Sequence, residues 1–301
     1  MVNVPGSRPS ESRGAQVVGH ALLTLAGVAG LAAFFYPFFW PQIAQVSRAE
    51  ATQAHAGDAP LLFTLLVVAS ITVVVAELES SALTTRSVAL LGVLVAFNAA
   101  LRLAETVTSF LNLGGFSPVF VLIILGGYVY GSRFGFLVGA LSLLVGGMLT
   151  GGVGPWLPFQ MVAAGWVGLT SGWLPVLLRF RPTRVRLVRR REVVALAAFG
   201  GMWGFLYGFL MNLYFWPFVS GEGMYWRPGM GWQETFSRYV LFYAVTSVAW
   251  DSARAVGNVL LIGLLGEALL KALRRFQLRF FPLPHGNWDP PAPDGRRLSG
   301  G

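Results

Sequence analysis

A chain of 301 residues that is 55% hydrophobic and only 12% charged falls well short of the roughly 25% charged residues typical of soluble domains, so most of its surface must face lipid. Its formal charge of +9 comes from 22 Lys+Arg against 13 Asp+Glu. It has no Cys and three widely spaced His, which excludes disulfides, thiolate metal sites and a multi-histidine metal centre.

Eight apolar segments are candidate membrane spans, at 17–40, 60–78, 87–104, 117–131, 134–150, 156–178, 192–217 and 238–272, of which 117–131 is short and either tilts little or sits inside the bundle. The expected fold class is an all-α membrane protein with eight transmembrane helices. A polar tail, 1–14, precedes the first span. That span ends in Phe38-Phe39-Trp40-Pro41 and not in a small-residue cleavage site, so it reads as a retained helix and not a signal peptide. The stretch from Phe134 to Leu178 carries no charge and is too long for one crossing; Gly151-Gly152-Val153-Gly154-Pro155 supplies the turn. The segment 238–272 exceeds the membrane thickness and must bend or project into water. Residues 281–301 are rich in Pro and Gly and are expected to form a disordered tail.

Seven arginines lie between Arg179 and Arg191, and such a segment is cytoplasmic by the positive-inside rule. Counting outward places both termini in the cytoplasm as well. The segment reads as a topology anchor on anionic lipid or a docking surface. Nucleic acid is not an expected partner, because Phe180 is the only aromatic residue interleaved for base stacking.

No G-x-S-x-G, H-E-x-x-H or P-loop occurs, so no catalytic residues, metal ligands or cofactors are expected, and an active pump would need a partner as its motor. Gly92, Ala96 and Ala100 form a small-residue stripe that suits either packing within the bundle or docking of another membrane subunit. Asn98 and Arg102 share a helix face at spacing four, and an intramembrane Arg is a functional candidate by default. The turn continues into Trp156, Phe159 and Gln160, either as an interfacial belt or as one wall of a ligand pocket. The segment from Asn212 to Tyr243 gathers Tyr214, Trp216, Trp226, Trp232, Tyr239 and Tyr243 around several glycines, the composition of a small-molecule site. Asp251 and Arg254, at i and i+3, can pair on one helical face. In a continuous helix Asp251 would lie about 20 Å below Arg238, a depth that favours a structural ion pair over ligand contact.

Ser132-Arg133-Phe134-Gly135-Phe136-x-x-Gly139-Ala140, then Gly151-Gly152-Val153-Gly154-Pro155-Trp156-x-Pro158-Phe159-Gln160-Met161, and later Asp251-x-x-Arg254-Ala255-x-Gly257-Asn258 resemble the substrate-binding (S) component of energy-coupling factor (ECF) vitamin transporters. The resemblance covers roughly residues 86–280. It implies a six-helix core at 83–280, with the two helices of 15–82 additional to it. It also implies a vitamin ligand taken up near the outer face of a bacterial plasma membrane, and partnership with a transmembrane scaffold subunit and two cytoplasmic ATPases that topple the S component. ATP would be used by those partners, and the vitamin is cargo. Gly92, Ala96 and Ala100 stand where such proteins dock their scaffold. The G-P-W-x-P-F-Q segment resembles cobalamin-type members, and riboflavin or another ring-containing vitamin stays open. The competing reading is a stand-alone, ion-coupled secondary transporter, which needs intramembrane acids near mid-depth. An intramembrane enzyme is a third reading, for which no nucleophile–base pair is present.

Overall fold

The computed structural model describes residues 85–110, 117–179, 188–218, 223–227 and 229–280, with separate positions between 17 and 72. The expected tails 1–14 and 281–301, most of the two N-terminal spans and residues 180–187 of the arginine-rich segment lie outside the described residues. The described regular structure is all helical. In chain order it comprises α1 (Thr85–Phe110), α2 (Val119–Tyr130), α3 (Ser132–Thr150), α4 (Leu157–Ser171), α5 (Leu174–Leu177) and α6 (Arg190–Phe215). A 3₁₀ turn (Trp216–Phe218), α7 (Trp232–Thr246) and α8 (Val248–Phe280) complete it. Arg86–Thr106, Ser132–Thr150, Arg190–Phe215 and Val248–Leu278 are long and apolar enough to cross a membrane.

Two expected spans each resolve into two helices. Segment 156–178 divides into α4 and α5 around Gly172. Segment 238–272 is not one bent helix but α7 and α8, broken at Ser247, whose φ of −132° leaves the helical region. No proline or glycine marks that break. Thr246 Oγ1 donates back to the Phe242 carbonyl at 2.7 Å, a bonding pattern that bends helices. The Asn212 amide on α6 then donates to Ser247 Oγ at 2.7 Å, tying the break to its neighbour.

The expected glycine turn does separate α3 from α4. Gly151 caps α3 at φ +67°, a conformation that L side chains rarely adopt. Gly152 N–H then closes back on the Gly147 carbonyl at 2.8 Å, and Pro158 sits in the first turn of α4, where its missing N–H is no loss. Helix α2 is apolar all round and buried from Val119 to Tyr128, as a short helix inside a bundle must be.

Close backbone contact holds the bundle together. A Cβ on Gly135 of α3 would fall 2.3 Å from the Gly168 carbonyl oxygen of α4, and one on Gly204 of α6 would fall 2.5 Å from Ala255 Cα of α8. Helices approach this closely only through small residues, since lipid provides no hydrophobic drive for association. Gly200, Gly204 and Gly208 repeat at spacing four along α6 and form its seam with α8. At the far end of that seam, Arg274 pairs with Glu192 at 2.7 Å, both largely buried.

The N-terminal segment packs on α4. Residues 27–35 are helical; Gly30 lies against Val162, and the buried Phe34 ring meets Phe159 edge-on with centroids 5.2 Å apart.

Candidate functional site

The end of α1, the start of α2, the end of α3 and the start of α4 meet at one end of the bundle, away from the arginines that open α6. They frame, with α6 and α8, a half-open cavity of about 290 Å³. Its polar lining comes from Arg102, Glu105, Thr106, Ser117, Thr150, Gln160, Tyr207 and Arg254; Val119, Phe120 and Leu143 supply apolar wall.

Each charged group in it is positioned by a specific neighbour. The stem of Arg102 crosses α3 in a notch at Gly146, where a Cβ would fall 2.5 Å from Arg102 Cδ. Its guanidinium Nη2 then donates to Gln160 Oε1 at 2.9 Å. Glu105, one turn along α1, accepts from Ser117 Oγ at 3.1 Å. Arg254 donates to the Gly204 carbonyl at 3.3 Å and to Asp251 Oδ1. Its guanidinium lies 5.3 Å from the Tyr207 ring centroid and 6.0 Å from that of Phe120. Cationic groups over aromatic faces are stabilised by the ring quadrupole, more so when desolvated. Asp251 is held from its other side by Tyr243 Oη at 2.9 Å. The two arginines are thus preorganised, with little side-chain freedom left to lose on binding.

Asp251 and Arg254 form the expected ion pair, and Arg254 also lines the cavity. A depth counted along one helix from Arg238 does not apply to it. The break at Ser247 restarts the count, and Arg254 stands in the second turn of α8, within the cavity lining. Asp251 pairs with it behind the wall.

The other expected site residues divide into three groups. Asn98 is fully buried one turn below Arg102 and donates to Ser142 Oγ at 3.1 Å; it lines neither cavity described here. Trp216, Trp226, Trp232 and Tyr239 line a second cavity of about 410 Å³ with Phe35, Phe38 and residues of α6 and α7. The polar tips of two of those rings are already engaged. Trp216 donates to the Met224 carbonyl and Tyr239 to the Phe209 carbonyl, at 2.9 and 2.6 Å.

Trp156, Phe159, Asn212, Tyr214 and Tyr243 line neither cavity. Trp156 is 43% exposed and donates to the Gly152 carbonyl of its own turn. Phe159 packs against Tyr214 with centroids 4.1 Å apart and the rings tilted by 41°. Asn212 holds the helix break, and Tyr243 orients Asp251. Of the Trp156–Gln160 turn, then, only Gln160 reaches the polar cavity.

The outward stripe of α1 stands apart from both. Gly92, Ala96 and Ala100 are exposed, and a Cβ on Gly92 would meet nothing within 4 Å. Leu91, Leu94, Val95 and Ala99 bury the opposite face.

Sequence reading passed over Phe120 and Tyr207 as cavity residues, and the glycines of α6 as a helix seam. Spacing four at 200, 204 and 208 is a small-residue signal that the sequence carries openly. Phe120 and Tyr207 carry no such signal, being aromatic residues in apolar helices.

No curated protein and no solved structure matches the chain. The family described as "ECF transporter, substrate-specific component" matches residues 86–272, a segment that contains every residue lining the polar cavity and ends short of the helical residues 27–35. Its extent, more than half of the chain, and its coincidence with the bundle that builds this cavity lead to one conclusion: the protein belongs to the family of substrate-specific components of ECF transporters.

Proposed function

We propose that the chain is the substrate-capturing subunit of an ATP-driven vitamin importer, and that the polar cavity is where it holds its cargo. The observation that carries this reading is the convergence of Arg102–Gln160 and Arg254 on one half-open cavity, built wholly within the family-matched segment. Ligand sites combine a mostly formed cavity with a few fixed polar groups. The aromatic cavity is second to it because Phe35 and Phe38, outside that segment, form part of its wall.

The cavity's size bears on the cargo. At about 290 Å³ it sits at the lower bound of ligand pockets, roughly 300–1,000 Å³. Gln160 is the single residue of the G-P-W-x-P-F-Q segment that lines it. A compact vitamin fits this space better than cobalamin does.

The subunit needs no cofactor and performs no catalysis in this reading. A scaffold subunit and two cytoplasmic ATPases supply the energy, and the stripe at Gly92, Ala96 and Ala100 is the docking face, open to approach by another helix. The cavity end faces outward, with both termini and the arginine-rich segment in the cytoplasm, and the subunit topples when ATP is hydrolysed.

Mass spectrometry of small molecules released from the purified full-length chain tests the capture reading. Wild type should release one compound in near-stoichiometric amount, and the double variant Arg102→Gln/Gln160→Leu should release far less. Equal amounts from both proteins would move the site elsewhere. Vitamin uptake that persists in cells lacking every ECF ATPase would favour the ion-coupled transporter instead.

A further inference from the structure

We infer that the cargo is a compact organic acid, whose single acidic group docks on Arg102 and Gln160 and which carries a hydrogen-bond donor for Glu105. The inference rests on the reading of the polar cavity as the substrate site, and concerns what that site selects.

The cavity is lined by two guanidinium groups that differ in their surroundings. Arg254 is neutralised by Asp251 and seated against Tyr207. Arg102 makes no ion pair among the described residues; its partner is the neutral amide of Gln160. A cation within a membrane-embedded bundle is costly unless a counter-charge or water meets it. Glu105, one turn along, is the nearest opposite charge but makes no ion pair with Arg102, and an acidic group entering the cavity would supply a direct one. It would also take up the planar fork of the guanidinium, which suits carboxylate and phosphate oxygens bidentately. Gln160 fixes that fork by holding Nη2 through its own Oε1, and its amide N–H₂ remains a donor for the same acidic group.

Glu105 limits the choice from the other side. It lies one turn further along α1 and puts a carboxylate on the same small space, where it accepts from Ser117. A second acidic group there would meet like charge at short range, whereas a hydroxyl or amide N–H would find an acceptor. The combination describes one acid and one donor on a small frame. It disfavours a cationic vitamin, which would face two arginines, and a neutral one, which would leave the guanidinium fork of Arg102 without an acid to take it.

Matched acid and amide pairs isolate this charge from shape. Equilibrium titration of the purified full-length chain with nicotinate and nicotinamide, pantothenate and panthenol, and biotin and biotinamide provides the pairs. Riboflavin and thiamine represent neutral and cationic vitamins. The acid of one pair should bind at least about tenfold more tightly than its neutral partner, since hydrogen bonds to charged groups outweigh neutral ones by this margin. Arg102→Gln should abolish that preference and Arg102→Lys should retain most of it, which separates lost charge from misfolding. Tightest binding of riboflavin, thiamine or a neutral partner would overturn the inference while leaving the capture reading intact. Binding of none of these compounds would sink both.

Discussion

A Cβ built on Gly208 of α6 would stand 1.8 Å from Oδ2 of Asp251 on α8, so the carboxylate occupies space that only a glycine leaves. That carboxylate holds Arg254 in the cavity wall and is itself held by Tyr243. Gly208→Ala should therefore do more than crowd a helix seam. It should dislodge Asp251, at a cost of at least about 1–3 kcal/mol for overpacking, and release Arg254 from its seat. Thermal unfolding of the full-length chain in detergent should show a clear drop, accompanied by weaker ligand binding. Gly263→Ala on α8 is the control. A Cβ there meets nothing within 4 Å, and the change should be neutral or stabilising by a few tenths of a kcal/mol, as replacement of a helical glycine usually is. Equal unfolding temperatures for the two variants would remove Asp251 from the account of the wall.

The notch at Gly146 predicts a different outcome, because the atom it accommodates belongs to a flexible side chain. Gly146→Ala would place a Cβ 2.5 Å from Arg102 Cδ. The arginine stem can swing aside, so the fold should lose no more than about 1 kcal/mol. Its guanidinium, however, should part from Gln160. Ligand affinity should fall at least about tenfold, equivalent to 1.4 kcal/mol, with unfolding temperature nearly unchanged. A titration that leaves affinity intact would show that Arg102 reaches ligand without this seat.

Arg102 and Gln160 were legible in the sequence because charge and amide groups are rare in apolar helices and need a reason to be there. The aromatic richness of Asn212–Tyr243 was equally visible. What the sequence did not reveal was that Trp216, Trp226, Trp232 and Tyr239 build a separate cavity, since composition reports a cluster of rings without saying which way each one turns. The pairing of Arg254 with Asp251 was legible from their spacing, but the place of Arg254 in the cavity wall was not. The helix break at Ser247 arises from hydroxyl back-bonding by Thr246 and from an amide on a different helix, Asn212. No proline or glycine punctuates it, and the depth ruler ran straight through. Trp156 was legible both as an interfacial ring and as a ligand wall, and its exposure and local bond to Gly152 suit the interfacial ring.

At the opposite end of the α6–α8 seam, Glu192 and Arg274 test how far buried charge holds the bundle. Arg274 Nη1 is buried and has no hydrogen-bond partner among the described residues, so the Glu192 contact at 2.7 Å is its main compensation. Glu192→Gln should cost about 3–5 kcal/mol, because it leaves a buried cation unpaired. The double replacement Glu192→Leu/Arg274→Met should recover most of the loss, since well-packed apolar substitutes often match a buried ion pair. Unfolding measured at low and high salt should give similar values for wild type, as buried pairs are screened far less than exposed ones. A Glu192→Gln variant as stable as wild type would mean that the pair contributes nothing net to the seam.

The docking face gives a prediction that leaves the cavity untouched. Ala96 stands on the outward face of α1 between Gly92 and Ala100, all three exposed, with Val93 and Phe97 exposed beside them. Small residues at spacing four let a partner helix approach closely, and a branched side chain in the middle of such a stripe holds the two backbones apart. Among the described residues nothing is displaced by enlarging Ala96, because those that bury this helix, Leu91, Leu94, Val95 and Ala99, lie on its other side. Ala96→Leu should therefore leave folding and ligand affinity within about twofold of wild type, while reducing recovery of scaffold and ATPase subunits in a pull-down by at least about tenfold, the 1.4 kcal/mol that loss of close packing readily supplies. Arg102→Gln should give the converse pattern, with assembly intact and capture lost. Assembly that survives Ala96→Leu would relocate the scaffold contact to another face of the bundle, and loss of both assembly and capture would indicate that α1 supports the fold through this stripe and not a partner.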